Sequence, residues 1–115
     1  MVHPTRTIIR EHAIKDGDMS GDIETQGYQM DGADSYAIQF TWSGAGLSGG
    51  NIDVQASNDG INFASVLSST IAVNVNADTV IYNVEQHAYM FVKVKYTFSA
   101  GTGSLNVHIA GKRGT

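Results

Sequence analysis

Apolar residues recur at every second position in four separate segments of this chain. These segments are residues 36–42, 52–56, 90–98 and 105–110. A period of two is typical of a β-strand with one buried face, and no segment shows the 3.6-residue period of an amphipathic helix. The side chains predicted to form the core are Ile38, Phe40, Ile52, Val54, Val92, Val94, Leu105 and Val107.

Clusters of glycine and short polar residues separate the alternating segments. Ala100–Gly103 predicts the turn of a hairpin between the last two strands, and Asn58–Gly60 predicts a second turn. The glycine-rich residues 44–50 predict an irregular loop rather than a defined turn type. These signals indicate an antiparallel arrangement of short strands.

Weaker strand candidates fill the remaining sequence. Residues 22–30 form one, and residues 70–84 form two around Asn76–Asp78, while Phe63 is expected to pack inward. Seven to nine short strands at about ten-residue spacing are typical of sandwiches and barrels. The predicted fold is therefore all-β, an antiparallel two-sheet β-sandwich of jelly-roll-like form.

The N-terminal segment does not fit this alternation. Ile8, Ile9 and Ile14 make no single apolar face, so residues 1–15 predict an edge strand or an extended arm beside a sandwich domain of residues 16–115. Apolar residues on such an arm need a partner, either another subunit or another protein. The residues assigned to assembly and docking are Arg6, Ile8, Ile9, Arg10 and Ile14.

The composition narrows the class of protein. A chain of 115 residues is expected to form one domain. It has no cysteine, which excludes disulfides, thiolate nucleophiles and cysteine-bound zinc. No apolar run has the length of a membrane span, and no signal-peptide core is visible, so we expect a cytoplasmic product without a membrane partner. The net charge of −4 argues against a nucleic-acid partner.

The charged residues are unevenly distributed. Seven of the eleven acidic residues lie between Glu11 and Asp34. This acidic belt is either a solvated region or a contact for Arg6 and Arg10 of an adjacent copy. Lys93 and Lys95 are also able to contact such a belt, although lysines on a strand more often keep a sheet face soluble.

Metal binding has little support in the sequence. The four histidines lie far apart, at His3, His12, His87 and His108. Because zinc sites usually include at least one closely spaced ligand pair, ordinary surface histidines are the favoured interpretation. Asp16–Gly21 is similar to the start of a calcium loop, but Gly27 occupies the position where a glutamate is required. A solvated acidic turn is therefore favoured, and no metal or other cofactor is predicted.

Catalytic patterns are also missing. The chain has no Gly-x-Ser-x-Gly elbow, and Asp53 and Asp59 lack a framework that indicates a glycosidase cleft. We therefore predict that the protein is not an enzyme.

Aromatic residues offer one further binding chemistry. A platform for sugars is conceivable from Trp42 with Tyr36, Tyr82 and Tyr89. Trp42 shares the parity of Ile38 and Phe40, however, so a core position is favoured over a platform.

Four short motifs follow one another in a recognisable order. They are the strand SYAIQFTW, the strand and turn VQASNDG, the strand VKVKYT and the C-terminal GTGSLNVHIAGK. This succession, over about residues 18–113, resembles a group of small virion-associated proteins of tailed bacteriophages. The resemblance implies a structural part of the virion with a β-sandwich fold, and it brings no catalytic site.

The expected function follows from that resemblance. It is a non-enzymatic capsid decoration or cement protein that docks on the major capsid protein, in a virion assembled in the host cytoplasm. A tail, neck or fibre component is the nearest alternative, and a carbohydrate-binding β-sandwich module is the alternative of another class. The expected partners are the major capsid protein or another virion protein, and further copies of the chain. A trimer is expected by analogy with decoration proteins at threefold positions.

Overall fold

The computed structural model describes residues 5–30, 32–66, 69–85 and 87–114. These residues form β-strands joined by short connections, with no helix among them. The strands are β1 (Thr5–Asp18), β2 (Ile23–Glu24), β3 (Tyr28–Gln29), β4 (Ser35–Ser48), β5 (Gly50–Ser57), β6 (Ala64–Ser65), β7 (Ile71–Val73), β8 (Ala77–Val84), β9 (Phe91–Thr97) and β10 (Ala100–Gly114).

The strands form two antiparallel sheets. Sheet I has the order β1-β10-β4-β8, and sheet II has the order β2-β9-β5-β6, with β3 also paired to β9 and β7 to β5. The chain alternates between the sheets, because β1, β4, β8 and β10 belong to sheet I and the strands between them to sheet II. The predicted all-β, jelly-roll-like sandwich is confirmed.

The core lies between the facing sides of the two sheets. Each of the eight predicted core side chains is fully buried, with an exposed fraction of 0%. Alternation produces this result because successive side chains of a strand point to opposite faces of its sheet. Further buried residues lie outside that list of eight, among them Met19, Met30, Leu47 and Val73.

The last two strands do not form the predicted hairpin. β9 pairs with β2, β3 and β5 in sheet II, whereas β10 pairs with β1 and β4 in sheet I. The residues between them, Phe98 and Ser99, therefore carry the chain from one sheet to the other. Both strands bury alternating apolar rows, and this period is the same whether two strands pair or face each other across the core.

The two predicted glycine-rich connections are mostly strand, and Gly49 alone joins β4 to β5. Ala100–Gly103 opens β10 and pairs with the end of β4, where Gly44 lies opposite Gly103. Gly101 has φ +92°, and a Cβ there would lie 2.5 Å from the carbonyl carbon of Gly46. Glycine is required at position 101 for both reasons, the positive φ and the close backbone approach.

The described part of the N-terminal segment forms an edge strand, one of the two predicted alternatives. β1 forms the edge of sheet I and continues through the proposed domain boundary at residues 15 and 16. Its register against β10 shifts at three places, Thr7/Ile9, His12/Ile14 and Ile14/Gly17. Each shift changes the parity of the following residues, which is why the sequence shows no single apolar face here.

We expect the core to tolerate truncation far less than the outer face of the same sheet. Ile38→Ala should lower the free energy of unfolding by about 2–5 kcal/mol, because Ile38 is fully buried. Ile81→Ala is the matched control: Ile81 lies on β8 beside β4 and is 64% exposed, so its loss should cost no more than about 0.5 kcal/mol. Urea unfolding followed by tryptophan fluorescence measures both, and equal losses would contradict the burial of Ile38.

Candidate functional site

Strand β1 carries the five residues predicted to act in assembly. Ile14 is buried and Ile9 is half-buried, and both pack on the core. Ile8 is 44% exposed and Arg10 is exposed, while the side chain of Arg6 lies outside the described residues. The structure thus divides the set into core residues and surface residues, and the assembly role of the surface residues stays a prediction.

The outer side of β1 is an open sheet edge. Within the described residues β1 pairs with β10 alone, and its longest stretch without a register shift is Ile9–His12. Bulges and charged residues protect an edge strand against indiscriminate pairing. The edges of sheet II consist of strands only two or three residues long, so the longer open edges of the sandwich are those of sheet I, β1 and β8.

Lys93 and Lys95 contact the acidic belt of their own chain. Lys93 Nζ lies 2.9 Å from Glu24 Oε1, and Lys95 Nζ lies 4.0 Å from Glu24 Oε2. The hydrogen bond from Lys93, aided by its charge, holds the pKa of Glu24 below its usual value. The ring of Phe63 lies 4.5 Å from the Lys93 ammonium on this outer face, so the prediction that Phe63 packs inward is wrong.

The histidines and the acidic turn have partners within the protein. His12 and His108 stack with ring centroids 4.0 Å apart on the outer face of sheet I. Asp18 Oδ1 accepts hydrogen bonds from the hydroxyl and the backbone amide of Ser20, and these bonds lower the pKa of Asp18. Among the described residues no three acidic or histidine side chains lie close enough to hold a metal ion, and His3 is outside them.

The predicted aromatic platform is not formed. Trp42 is 2% exposed, and its indole N–H donates to the Val75 carbonyl at 2.9 Å, which confirms the favoured core position. Tyr36 is 1% exposed, and burial raises the pKa of its hydroxyl well above the usual range. Tyr82 is half-buried on the inner face of β8. Tyr36 also borders a small pocket of about 140 Å³, and Tyr89 lines a larger cleft.

This cleft lies at the end of sheet II where β5 leaves the sheet. Its volume is about 520 Å³, within the range of small-molecule sites. Two alanines line it together with Ser57, Asn58, Asn62, Ser65, Val66 and Tyr89. We call it the Tyr89 cleft. In the part of the chain that the structure describes, its lining combines apolar surface, amides and hydroxyls and includes no charged side chain.

The turn that forms one wall of the cleft is held by Asp59. Its carboxylate accepts hydrogen bonds from the amides of Ile61 (2.9 Å) and Asn62 (2.8 Å), from the Asn62 side chain and from the Ser57 hydroxyl. These bonds, the backbone ones first, hold the pKa of Asp59 far below its usual range. The predicted turn at Asn58–Gly60 is present and joins β5 to β6.

Tyr89, which also lines the cleft, belongs to an aromatic cluster. The hydroxyls of Tyr89 and Tyr36 share a hydrogen bond, and the His87 ring lies 5.0 Å from that of Tyr89 at 33°. His87 Nδ1–H donates to the Tyr89 carbonyl at 3.0 Å, which leaves Nε2 as the acceptor in the neutral ring. Nε2 is buried and has no hydrogen-bond partner among the described residues. The sequence showed the turn but not this convergence.

Asp53 does not form a catalytic pair with Asp59. Its carboxylate lies on the outer face of β5 and accepts hydrogen bonds from the Ser65 hydroxyl and from Thr70 Oγ1 at 3.0 Å. Each of the two carboxylates is therefore satisfied by hydroxyls or amides of its own surroundings.

The sandwich has counterparts among solved structures. No protein-family model matches the chain, and no curated protein matches it. A chain in the structure of infectious bursal disease virus, Gx strain, is 13% identical to it, with a TM-score of 0.58 over 96% of this chain and 32% of that chain. The PBSX exported protein XepA is 7% identical, with a TM-score of 0.53 over 94% of this chain and 36% of that chain.

A third similar structure is a carbohydrate-binding module. The C-terminal CBM6 of LamC from Zobellia galactanivorans is 16% identical, with a TM-score of 0.50 over 92% of this chain and 98% of that chain. The chain thus spans about a third of the viral protein and of XepA, and nearly all of the module. At these identities the similarity shows the fold alone. The described residues contain no helix long and apolar enough to cross a bilayer.

We expect the turn at Asp59 to persist in acid. A carboxyl whose pKa is depressed in the folded state stabilises the fold above its unfolded pKa, and this contribution is lost as the pH falls through the folded value. The amide resonances of Ile61 and Asn62 should therefore titrate well below the ordinary aspartate value of 3.8. NMR pH titration measures this. In Asp59→Asn the transition should vanish, and a midpoint near 3.8 in the wild type would contradict the bonding seen here.

Proposed function

We propose that this protein is a non-enzymatic structural protein of a tailed-phage virion, a capsid decoration protein that docks on the major capsid protein. The observation that carries the proposal is the open edge of β1, with Ile8 and Arg10 exposed along it. An open edge accepts a strand from another chain through backbone hydrogen bonds, and exposed apolar and charged side chains beside it add specificity.

The acidic side chains considered for chemistry are bonded within the protein. Asp18 and Asp59 hold turns, Asp53 binds hydroxyls beside β5, and Glu24 pairs with Lys93 across the outer face of sheet II. Such internal bonding is consistent with a protein that acts by shape and surface contact. The motif resemblance to tailed-phage virion proteins supports the same function.

Assembly with further copies belongs to the same proposal. The β1 edge is the contact that we assign to the neighbouring subunit or to the shell, and the trimer is taken by analogy with decoration proteins. A tail, neck or fibre position uses the same edge and differs in the partner. The carbohydrate-binding alternative loses its predicted platform, because Trp42 and Tyr36 are buried.

We expect changes at the β1 edge to weaken particle binding without unfolding the protein. The double variant Ile8→Ser with Arg10→Glu alters two exposed side chains, so thermal stability should stay near that of the wild type. Binding is measured by co-sedimentation with virions and with separated heads and tails of the phage that encodes the chain. Binding of the wild-type protein to heads but not to tails supports decoration, and binding to tails but not to heads supports the tail alternative.

The matched control for this experiment is Ile61→Ser. Ile61 is 81% exposed and lies on the turn between β5 and β6, away from β1. The control should bind particles as the wild type does. Full binding by the double variant, or no binding of wild-type protein to any particle fraction, would contradict the proposal.

We expect the purified chain to form a homo-oligomer through the same edge. Three copies of 12.3 kDa give a mass of about 37 kDa, which light scattering after size exclusion measures directly. The double variant at Ile8 and Arg10 should shift the mass towards the monomer. A wild-type chain that remains a monomer at all concentrations would remove self-assembly from the proposal.

A further inference from the structure

The Tyr89 cleft has a chemistry that docking through β1 does not use. It is built from sheet II and its β5–β6 turn, whereas β1 is an edge of sheet I. Among the described residues its lining has no charged side chain, and Asp59, which is bonded to the lining residues Ser57 and Asn62, is negative, so a phosphate or a carboxylate would find no counter-charge there. A purely apolar ligand would cover the amides of the cleft without bonding them. Binding such a ligand would therefore cost free energy, because the amides would lose their hydrogen bonds to water.

Two asparagines present complementary groups at this cleft. Asn58 Oδ1 accepts the Met90 amide at 3.2 Å, which fixes the orientation of the side chain and leaves its NH₂ group without a partner among the described residues. Asn62 Nδ2 donates to Asp59 Oδ2 at 2.9 Å, and within the same part of the chain its Oδ1 has no partner. The cleft therefore offers one fixed donor and one fixed acceptor. Neutral hydroxyl groups satisfy both, since each hydroxyl donates and accepts.

The ring of Tyr89 supplies apolar surface beside these amides. It is held in place by the His87 ring and by the hydrogen bond to the Tyr36 hydroxyl. A fixed aromatic ring provides contact area at low conformational cost, and sugar rings present C–H faces that pack on such a surface. The Asp59 bonds fix the wall formed by the turn in the same way, so little ordering remains to oppose binding.

We propose that the Tyr89 cleft binds a neutral saccharide, with the ring of Tyr89 against a sugar face and Asn58 and Asn62 bonded to its hydroxyls. The volume of about 520 Å³ accommodates a ligand of small-molecule size rather than a protein element. The Tyr89 cleft is separate from the β1 edge, and sugar binding there does not depend on docking. A failure of the virion proposal leaves it standing, and its own failure leaves docking untouched.

The test is an NMR titration of the full chain with neutral oligosaccharides, namely maltotriose, cellotriose and N,N′,N″-triacetylchitotriose, with glucose 6-phosphate as the charged comparison. At least one neutral sugar should shift resonances of residues 56–66 and of Tyr89. Asn58→Asp keeps the acceptor for the Met90 amide and removes the free donor, so it should weaken binding by at least tenfold. Tyr89→Leu should weaken it similarly.

Two control variants match these substitutions at the other end of sheet II. Asn51→Asp makes the same chemical change at the start of β5, and Phe98→Ala removes a 37% exposed ring just beyond β9, about 20 Å from the cleft. Both should bind sugar as the wild type does. The proposal is overturned if no neutral sugar shifts the cleft at millimolar concentration, if glucose 6-phosphate alone does so, or if Asn58→Asp binds fully.

Discussion

The burial of two alternating apolar rows against each other determines the rest of this structure. Sheet I contributes Ile38, Phe40 and Leu105, and sheet II contributes Val54 and Val94, all fully buried. Each strand can bury one face only, so its polar side chains must lie on the outside. The stacked histidines, the lysine pair with Glu24 and the carboxylate of Asp53 all occupy that outer layer. They stabilise and shape surfaces that the core has already positioned.

The core was predictable from the sequence because alternation is a local property. The few residues on either side of Ile52 or Val107 are enough to identify its face of the strand as buried, whatever strand lies next to it. Strand partners are not local. The same alternation is compatible with a hairpin or with strands in opposite sheets, and so β9 and β10 were paired incorrectly. The register shifts of β1 interrupt the alternation at Ile9 and Ile14, so the sequence shows no single apolar face there. Gly44 and Gly101 allow close backbone approach within strands, but glycine-rich sequence is typical of loops, so these residues were predicted as a loop and a turn.

The Tyr89 cleft could not be predicted from the sequence for a different reason. Asn58 and Asn62 belong to a turn that the sequence showed clearly, but Tyr89 comes from a connection 31 residues after Asn58 and meets them through tertiary packing. The aspartate at position 59 was visible as a turn residue, while its four hydrogen bonds depend on the fold of the loop. Among the tyrosines, sequence parity had no means of separating Tyr89 from the buried Tyr36, since both occur beside apolar residues.

The pairing of β1 with β10 has a consequence for synthesis. Thr5 of β1 lies opposite Gly114 of β10, so the first and the last described strands lie side by side in sheet I. Between β1 and β4, the place of β10 stays open until the last strand has been made. β1 therefore leaves the ribosome well before its partner, and sheet I closes only after β10 has been made. Sheet I cannot be completed strand by strand in the order of synthesis, and we expect the pairing of two strands so distant in sequence to be slow.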